Sequence, residues 1–256
     1  MRPAVPKPVV LLIGTRRSSH DTLKSNINIV QDRGRFMSHA DKESWMEQPE
    51  VQYVNWGFEP AYLRRLYTPE SVLNHYSRTR VAANKLRALR RLRELAPRIV
   101  RDPRLVRRLG SSLIVAKSRR GHHGAGKAIL PATTPTDALR GYDYFQEYVS
   151  GREMRVVVCL GKVINAFWKI RPADCAATEI RPRWRFSRIK LNALDPRVSE
   201  MAVEATSRVG LDYSGVDMIW TPERPYVLEC NSAPGMGRTT LRRLYDRINE
   251  VFNEAD

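Results

Sequence analysis

The chain has the sequence YSGVDMIWTPERPYVLECNSAPG from Tyr213 to Gly235. Two runs of strand length flank a proline-rich turn, which predicts two neighbouring antiparallel strands. Asp217 lies on the first strand, while Glu229 and Asn231 lie two residues apart on the second strand and therefore face the same side. If the strands pair, two carboxylates and an amide converge, and these oxygen ligands suit Mg²⁺. The alternative is that the carboxylates form ion pairs with arginines.

A glycine-rich loop lies upstream of these strands, between Lys117 and Lys127. It contains Gly121, Gly124 and Gly126, and glycines this closely spaced let main-chain N–H groups approach an anion. Neither the P-loop pattern nor the dinucleotide fingerprint is present, because the closing Gly-Lys-Ser/Thr and the fingerprint spacing are both missing. The loop therefore predicts phosphate binding, with a polar hairpin tip as the alternative.

A strand–turn–strand segment runs from Phe145 to Val156 and carries polar residues at its turn. The main chain at a strand edge can pair with adenine beside an apolar wall, and a carboxylate that follows can accept hydrogen bonds from ribose hydroxyls. An ordinary hairpin with a surface ion pair is the alternative.

Strands and helices intermix along the chain, which favours an α/β or mixed α+β fold. Strand-like runs at Val9–Ile13 and residues 51–57 place a small α/β unit in residues 1–67. Residues 68–145 are predicted to form a central subdomain with the glycine-rich loop, and residues 146–256 a C-terminal subdomain with the metal site. Further predicted features are a hairpin about Leu160-Gly161 and helices that start at Thr68-Pro69, Asp195-Pro196 and Thr239-Thr240.

The composition combines ordinary hydrophobicity with a large excess of positive charge. The 256 residues include 44 Lys and Arg against 27 Asp and Glu, which gives a formal net charge of +17. Such a field attracts polyanions, nucleic acid among them. No zinc-ligand spacing, helix-turn-helix signal or RNP-like strand supports a nucleic-acid-binding module, however. An arginine-rich, solvated surface is the alternative.

The cysteine pattern and the hydropathy limit the cellular environments in which the protein is expected. Cys159, Cys175 and Cys230 form neither a CxxC pair nor a disulfide framework, so reduced thiols are expected. No apolar run reaches the roughly 18 residues that are needed to span a bilayer. We therefore expect a cytoplasmic protein without membrane association, whose oligomeric state the sequence does not indicate.

The order of the motifs resembles that of the ATP-grasp superfamily over about residues 68–245. The motifs are Asn84-Lys85, Lys117 with its glycine loop, Gln146-Glu147-Tyr148, Arg152-Glu153-Met154-Arg155, Gly215-Val216-Asp217 and the run from Leu228 to Gly235. The likeness is greatest to the glutamate-ligase branch and its relatives carried by bacteriophages. It implies a small N-terminal α/β unit followed by two α+β subdomains that clasp ATP between them.

The resemblance also implies a role for each motif residue. The expected phosphate-binding residues are Lys85, Lys117, Gly121, Gly124 and Gly126. Adenine would be recognised by Glu147 with the main chain of Tyr148 and Val149, and the ribose by Glu153. Arg155, Lys169 and Arg181 would lie near the transferred phosphoryl group and the acid substrate. Asp217, Glu229 and Asn231 would bind Mg²⁺.

The function that follows is an ATP-dependent ligase, which joins a carboxylate to an amine through an acyl phosphate. An ATP-grasp kinase and a basic nucleic-acid-binding protein are the alternatives. The acid and amine are expected to be small molecules or peptides, and the acid to be anionic beyond its reacting group. That expectation comes from a run of cations, namely Arg152, Arg155, Lys169, Arg171, Arg181, Arg183 and Arg185. Pro182-Arg183 replaces an asparagine and a glycine found in many relatives, so substrate binding departs from the family pattern more than nucleotide binding does.

Overall fold

The computed structural model describes residues 9–13, 34–37, 52–56, 72–118, 126–173, 184–235 and 237–253. The strands in these ranges are β1 (Val9–Ile13), β2 (Gly34–Met37), β3 (Gln52–Trp56), β4 (Val72–Leu73), β5 (Ile99–Val100), β6 (Leu113–Lys117), β7 (Lys127–Pro131), β8 (Tyr144–Glu147), β9 (Arg152–Cys159), β10 (Lys162–Ile170), β11 (Arg185–Ile189), β12 (Tyr213–Trp220) and β13 (Tyr226–Asn231). The α-helices are α1 (Tyr76–Ala83), α2 (Lys85–Leu92), α3 (Pro196–Val209) and α4 (Arg238–Asn253). Short 3₁₀ segments cover Arg93–Leu95, Pro103–Leu109, Thr136–Leu139 and Leu191–Ala193.

The described strands form three sheets. The N-terminal sheet is parallel, with strand order β2-β1-β3-β4. The central sheet is antiparallel, with order β5-β8-β6-β7. The large sheet is also antiparallel, with order β11-β10-β9-β12-β13. This mixture of parallel and antiparallel sheets with helices agrees with the mixed class expected from the sequence.

The two faces of the large sheet have different environments because alternate residues of a strand point to opposite sides. Val156 and Met218 lie on the face that packs against α2 and α3 in one buried hydrophobic cluster. Val157 and Tyr213 lie on the other face, where α4 packs against one end of the sheet. The remaining end of that face carries charged side chains, and the candidate site is built there.

Helices α1 and α2 are separated at Asn84, whose main chain is extended (φ −93°, ψ 96°). The Asn84 side chain caps α2 by accepting a hydrogen bond from the N–H of Arg87, at 3.1 Å. Leu89 and Leu92 of α2 are buried in the same cluster as Val156 of the large sheet. Residues 76–92 therefore pack with the large sheet, although the sequence division grouped them with the glycine-rich loop.

The predicted boundary between residues 145 and 146 falls inside β8, which pairs with β5 and β6. In the structure the central sheet ends after β8, and the large sheet begins at Arg152. A sequence pattern places a strand but does not identify its partner strands, which explains the displaced boundary.

Local turn and capping signals were sufficient elsewhere. The β9–β10 hairpin turns at Leu160 and Gly161, both with positive φ (45° and 72°), as a two-residue hairpin turn requires. Helix α3 is capped by Asp195, which accepts from the N–H of Arg197 at 2.9 Å, and it ends at the left-handed Gly210. Both predictions are confirmed. The helix start predicted at residues 68–69 lies outside the described residues.

Candidate active site

The register of β12 and β13 brings the three predicted metal ligands together. Asp217 lies opposite Glu229, and Gly215 lies opposite Asn231. The Asn231 amide donates to Glu229 Oε1 at 3.2 Å and to the Gly215 carbonyl at 3.3 Å. Two carboxylates and an amide thus share one small area on the charged face of the large sheet.

Asp217 also forms an ion pair with an arginine on the neighbouring strand. Arg155 of β9 lies directly opposite it, and the guanidinium Nε and Nη2 donate to the two carboxylate oxygens at 2.7 and 2.9 Å. Lys169 Nζ lies 3.6 Å from Asp217 Oδ2 and 3.0 Å from Glu153 Oε2. Both the convergence of candidate ligands and the alternative ion pair are therefore present in the structure.

The charges in this network determine the protonation state of Asp217, which is 5% exposed. Burial by itself would raise the pKa of the Asp217 carboxyl, but the charges and hydrogen bonds of Arg155 and Lys169 outweigh it and lower the pKa. Burial likewise opposes the charge of Arg155, and Asp217 overcomes this effect and raises the guanidinium pKa. Both groups are therefore charged at neutral pH.

Aromatic rings lie beside the cations of this face. Trp184 has Lys169 Nζ at 4.8 Å and the Arg171 guanidinium at 5.2 Å from its ring centroid. The ring of Phe186, which is 50% exposed, lies 5.7 Å from the Arg155 guanidinium. Cation–π contacts of this kind hold long basic side chains near one orientation.

Arg152 does not join this group, contrary to the prediction that it crowds the substrate side. Its guanidinium lies 3.8 Å from the centroid of Trp168, which is opposite Met154 in the register. Arg152 and Arg155 are three residues apart on one strand and hence point to opposite faces. The sequence supplied the cations but not the face to which each one belongs.

The central sheet contributes a pair of lysines. Lys117 of β6 and Lys127 of β7 lie directly opposite each other. The Lys117 ammonium donates to Gln146 Oε1 and lies 5.9 Å from the centroid of Tyr144. Burial, followed by the charge of Lys127, lowers the pKa of Lys117 to about 7. Lys85, at the start of α2, lowers it further.

Electrostatic interactions connect the central and large sheets. Burial lowers the pKa of Lys127, and Lys169 of the large sheet lowers it further, while Glu153 and Glu229 oppose the shift. The same two glutamates act on Lys117. Lys117 and Lys127 of the central sheet are therefore within electrostatic range of Glu153 and Glu229 of the large sheet.

The segment predicted to recognise adenine is held by other contacts. The Glu147 carboxylate forms an ion pair with Arg98 at 3.0 Å, and the Glu147 N–H donates to the Arg98 carbonyl at 2.9 Å. The N–H of Tyr148 donates to the Leu113 carbonyl at 3.3 Å. The Glu147 side chain would have to leave Arg98 to contact a base, and the N–H groups of Glu147 and Tyr148 already donate to main-chain carbonyls.

Four of the predicted residues, Gly121, Gly124, Arg181 and Arg183, lie outside the described ranges. Gly126 is described, and its φ of +68° together with a Cβ position 2.7 Å from the Ser118 Cβ requires glycine. The Ser118 N–H donates to the Gly126 carbonyl at 2.7 Å. This hydrogen bond closes the neck of the glycine-rich loop.

Two structural supports of the site were not identified from the sequence. Asn74 follows β4 with a φ of 54°, accepts from the N–H groups of Asp212 (2.8 Å) and Tyr213 (3.2 Å), and donates to the carbonyls of Tyr213 (2.8 Å) and Ser232 (3.4 Å). It thereby joins the N-terminal sheet to β12 and to the turn after β13. Gly215 allows that turn to pack closely, because a Cβ there would lie 2.5 Å from Pro234. No local motif marks Asn74, whose partners are 138 or more residues away.

The donor chemistry of the site fits Mg²⁺. The described residues contain no group of three or more His, Cys, Asp or Glu side chains that could hold a metal ion. The candidate set is instead Asp217, Glu229 and the amide oxygen of Asn231, all of them hard oxygen donors. Over the same ranges, no helix is long and apolar enough to cross a membrane.

Comparisons with known proteins place the chain in a family. A model described as the RimK-like ATP-grasp domain matches residues 89–246. The probable alpha-L-glutamate ligase of Citrobacter koseri is 28% identical over 142 residues, which are 52% of this chain and 46% of that protein. The ribosomal protein bS6–L-glutamate ligase of Salmonella newport is 27% identical, with the same coverage. The chain thus spans less than half the length of these curated relatives.

Solved structures share the fold over nearly the whole chain. The ATP-grasp ligase PsnB complexed with minimal precursor has a TM-score of 0.66 at 18% identity, covering 98% of this chain and 100% of that chain. D-alanine–D-alanine ligase from Bacillus anthracis has a TM-score of 0.65 at 13% identity, covering 95% and 99%. These matches confirm the predicted ATP-grasp fold, whereas the expected bacteriophage association has no support in them.

The family match extends over more than half of the chain. It includes the two facing lysines of the central sheet and the carboxylates, amide and arginine of the large sheet. We conclude that the chain belongs to the RimK-like ATP-grasp domain family.

Proposed function

We propose that the chain is an ADP-forming ligase that uses ATP and Mg²⁺ to join a carboxylate to an amine. The observation that carries the proposal is the convergence of Asp217, Glu229 and Asn231 on one face of the large sheet. The central sheet adds two cations, because Lys117 and Lys127 lie directly opposite each other on paired strands. A site that offers cations for phosphates on one side and oxygen ligands for a metal on the other suits a metal–nucleotide complex.

The chemistry follows from the reactants. A carboxylate does not react with an amine at neutral pH, because its oxygen is a poor leaving group. Transfer of the γ-phosphoryl group makes an acyl phosphate, the amine then attacks the acyl carbon, and the carbon–oxygen bond breaks to release phosphate. When bound by Asp217, Glu229 and Asn231, Mg²⁺ would supply neutralising charge to the phosphates. Lys117 and Lys127 would bind and orient the nucleotide phosphates.

No protein nucleophile is needed for this reaction. Cys159 and Cys230 are buried, and burial raises the pKa of each thiol to about 12. These two cysteines are therefore protonated at neutral pH and cannot supply a thiolate. Catalysis would consist of positioning and electrostatic stabilisation.

The acid substrate is proposed to carry a second anionic group. Arg155, Lys169 and Arg171 lie on or beside the strands of the charged face, and arginine forks match carboxylates and phosphates. The relatives' names include glutamate ligases, and one solved structure is of a ligase complexed with a precursor, so amino acids and peptides are the first substrates to test. An anionic acid predicts that its KM rises with ionic strength more than the KM of ATP does.

The decisive experiment is a screen for ADP release against pooled amino acids, short peptides and small acids, with mass spectrometry of the products. A ligase gives ADP, phosphate and a product whose mass is the sum of acid and amine less one water. A kinase gives ADP and a product that retains the phosphoryl group. The Glu229→Gln variant serves as the control for metal-dependent turnover. ATP binding without ADP release under any condition would refute the enzymatic proposal.

A further inference from the structure

The contact between Arg155 and Asp217 occupies the carboxylate that a metal would need. Both oxygens of Asp217 accept hydrogen bonds from the guanidinium, at 2.7 and 2.9 Å. The register places the two residues directly opposite each other on paired strands, so the contact is built into the sheet. Lys169 adds a second cation 3.6 Å from the same carboxylate.

A guanidinium held by both oxygens of a carboxylate competes with a divalent cation for that carboxylate. The two cations would use overlapping lone pairs, and their charges repel each other in a site of low dielectric constant. Asp217 is nevertheless the carboxylate that converges with Glu229 and Asn231. A divalent cation that binds Asp217 together with Glu229 and Asn231 would therefore compete with Arg155 for this carboxylate.

We propose that Arg155 is an internal counter-ion, which holds Asp217 while no metal is bound and releases it when a divalent cation binds. The released guanidinium then faces an anionic group of the acid substrate. This second step rests on the proposed function, whereas the exchange at Asp217 requires only that the site binds a metal.

The surroundings of Arg155 allow the exchange. Phe186, half-exposed and 5.7 Å from the guanidinium, provides a ring face against which the guanidinium can rest after it leaves Asp217. Lys169 is anchored by Glu153 at 3.0 Å and stays near Asp217, so the carboxylate keeps one cation throughout. A buried carboxylate without a cation would be costly, which explains why Asp217 needs such a counter-ion.

The exchange couples the two ligands of the site. Because Arg155 becomes available when the metal binds, the metal should increase the affinity for the anionic substrate. By linkage, the substrate must then increase the affinity for the metal by the same factor. An acid substrate would consequently bind poorly before the metal–nucleotide complex is in place.

The first test observes Arg155 itself in the wild-type protein. In ¹H–¹⁵N NMR spectra of arginine Nε–Hε groups, the Arg155 signal is assigned by its loss in Arg155→Lys. In the ligand-free protein the hydrogen bond to Asp217 should protect this proton from exchange with water. Addition of Mg²⁺ with ADP should shift the signal and speed its exchange, whereas ADP alone should not.

The second test measures metal affinity by Mn²⁺ titration with electron paramagnetic resonance, at one saturating ADP concentration. Arg155→Lys keeps the positive charge but loses the bidentate contact with Asp217. Because about one charge-assisted hydrogen bond no longer competes with the metal, the affinity for Mn²⁺ should increase about tenfold. Arg152→Gln removes a charge on the same strand but on the opposite face, and it should change the affinity less than about twofold.

The outcomes separate this inference from the proposed function. An Arg155 signal that stays unchanged while Mn²⁺ is shown to bind would overturn the exchange and leave the ligase proposal standing. Unaltered Mn²⁺ affinity in a folded Arg155→Lys protein would do the same. Wild-type protein that binds no metal even with ADP would overturn both. If Arg155→Lys fails to fold, Arg155→Gln assigns the signal, and the NMR experiment on the wild-type protein decides.

Discussion

Lys117 should take up a proton when a nucleotide binds beside it. Its pKa is about 7, because burial, Lys127 and Lys85 disfavour the ammonium form. A polyphosphate placed against the ammonium brings several negative charges, which favour the protonated form. Binding should therefore raise the pKa of Lys117 toward its ordinary value of 10.5.

The number of protons follows from these two pKa values. At pH 8, one unit above the ligand-free pKa, about a tenth of the Lys117 side chains carry the proton, and nearly all carry it in the complex. The expected uptake by this residue is about 0.9 proton per nucleotide at pH 8, about 0.5 at pH 7 and about 0.1 at pH 6. Burial also lowers the pKa of Lys127, and a bound polyphosphate would raise that pKa as well.

Isothermal titration calorimetry in buffers of different ionisation enthalpy measures this uptake directly. The slope of the observed binding enthalpy against the buffer enthalpy equals the number of protons exchanged. The measurement belongs at pH 8, where phosphate groups with a second pKa near 6 are fully ionised and contribute little. In Lys117→Met the slope should fall by the amount that Lys117 contributes. The control is Lys162→Met, which replaces an exposed lysine paired with Glu250 and should keep the wild-type slope.

Two results would refute the reasoning about Lys117. A slope near zero at pH 8 with clear nucleotide binding would mean that Lys117 is already protonated in the ligand-free protein. A slope that survives unchanged in Lys117→Met would mean that the proton goes elsewhere. A residual slope in this variant that disappears when Lys127 is also replaced would assign the remainder to Lys127.

Further predictions concern the large sheet and its attachment. Glu229→Gln should abolish ADP release with little change in the free energy of unfolding. Asp217→Asn should also abolish ADP release, and it should lower the free energy of unfolding, measured by urea denaturation, by about 3–5 kcal/mol because the charge of Arg155 is left unpaired. Near-wild-type turnover in either variant would contradict the metal assignment. Asn74→Ala should lower the free energy of unfolding by about 3–5 kcal/mol. The change removes the hydrogen-bond partners of buried main-chain groups, and it places alanine in a left-handed conformation. Asn84→Ala removes one exposed helix cap and should lower the free energy of unfolding by only about 1 kcal/mol. If Asn74→Ala and Asn84→Ala lowered it equally, the special role of Asn74 would be refuted.

Local sequence signals predicted a large part of this fold. The strand pair that carries Asp217 and Glu229 follows from two-residue periodicity on either side of a proline-rich turn. The Leu160-Gly161 hairpin follows from its turn residues, and the cap of α3 from Asp195-Pro196. In each case the information lies within a few residues of the feature that it specifies.

Contacts between distant segments were not accessible in this way. The ion pair of Arg155 with Asp217 depends on β9 pairing with β12, and the hydrogen bonds of Asn74 join residues 138 positions apart or more. Glu147 illustrates the same limit, because its carboxylate pairs with Arg98 of a segment 49 residues away. Residue types and spacing identified the charged groups, but the sheet register decides which of them neutralise each other.

The charged groups of the large and central sheets have opposite electrostatic needs, and this bears on which ligand they would bind. The large sheet neutralises Asp217 internally with Arg155 and Lys169. In the central sheet Lys117 faces Lys127, and the ammonium of Lys117 donates to a neutral amide. A phosphate chain would add negative charge beside the two lysines, and a divalent cation would supply the positive charge that lets Arg155 leave Asp217. Neither component alone satisfies both sheets, so the metal–nucleotide complex is the ligand whose charges match the site.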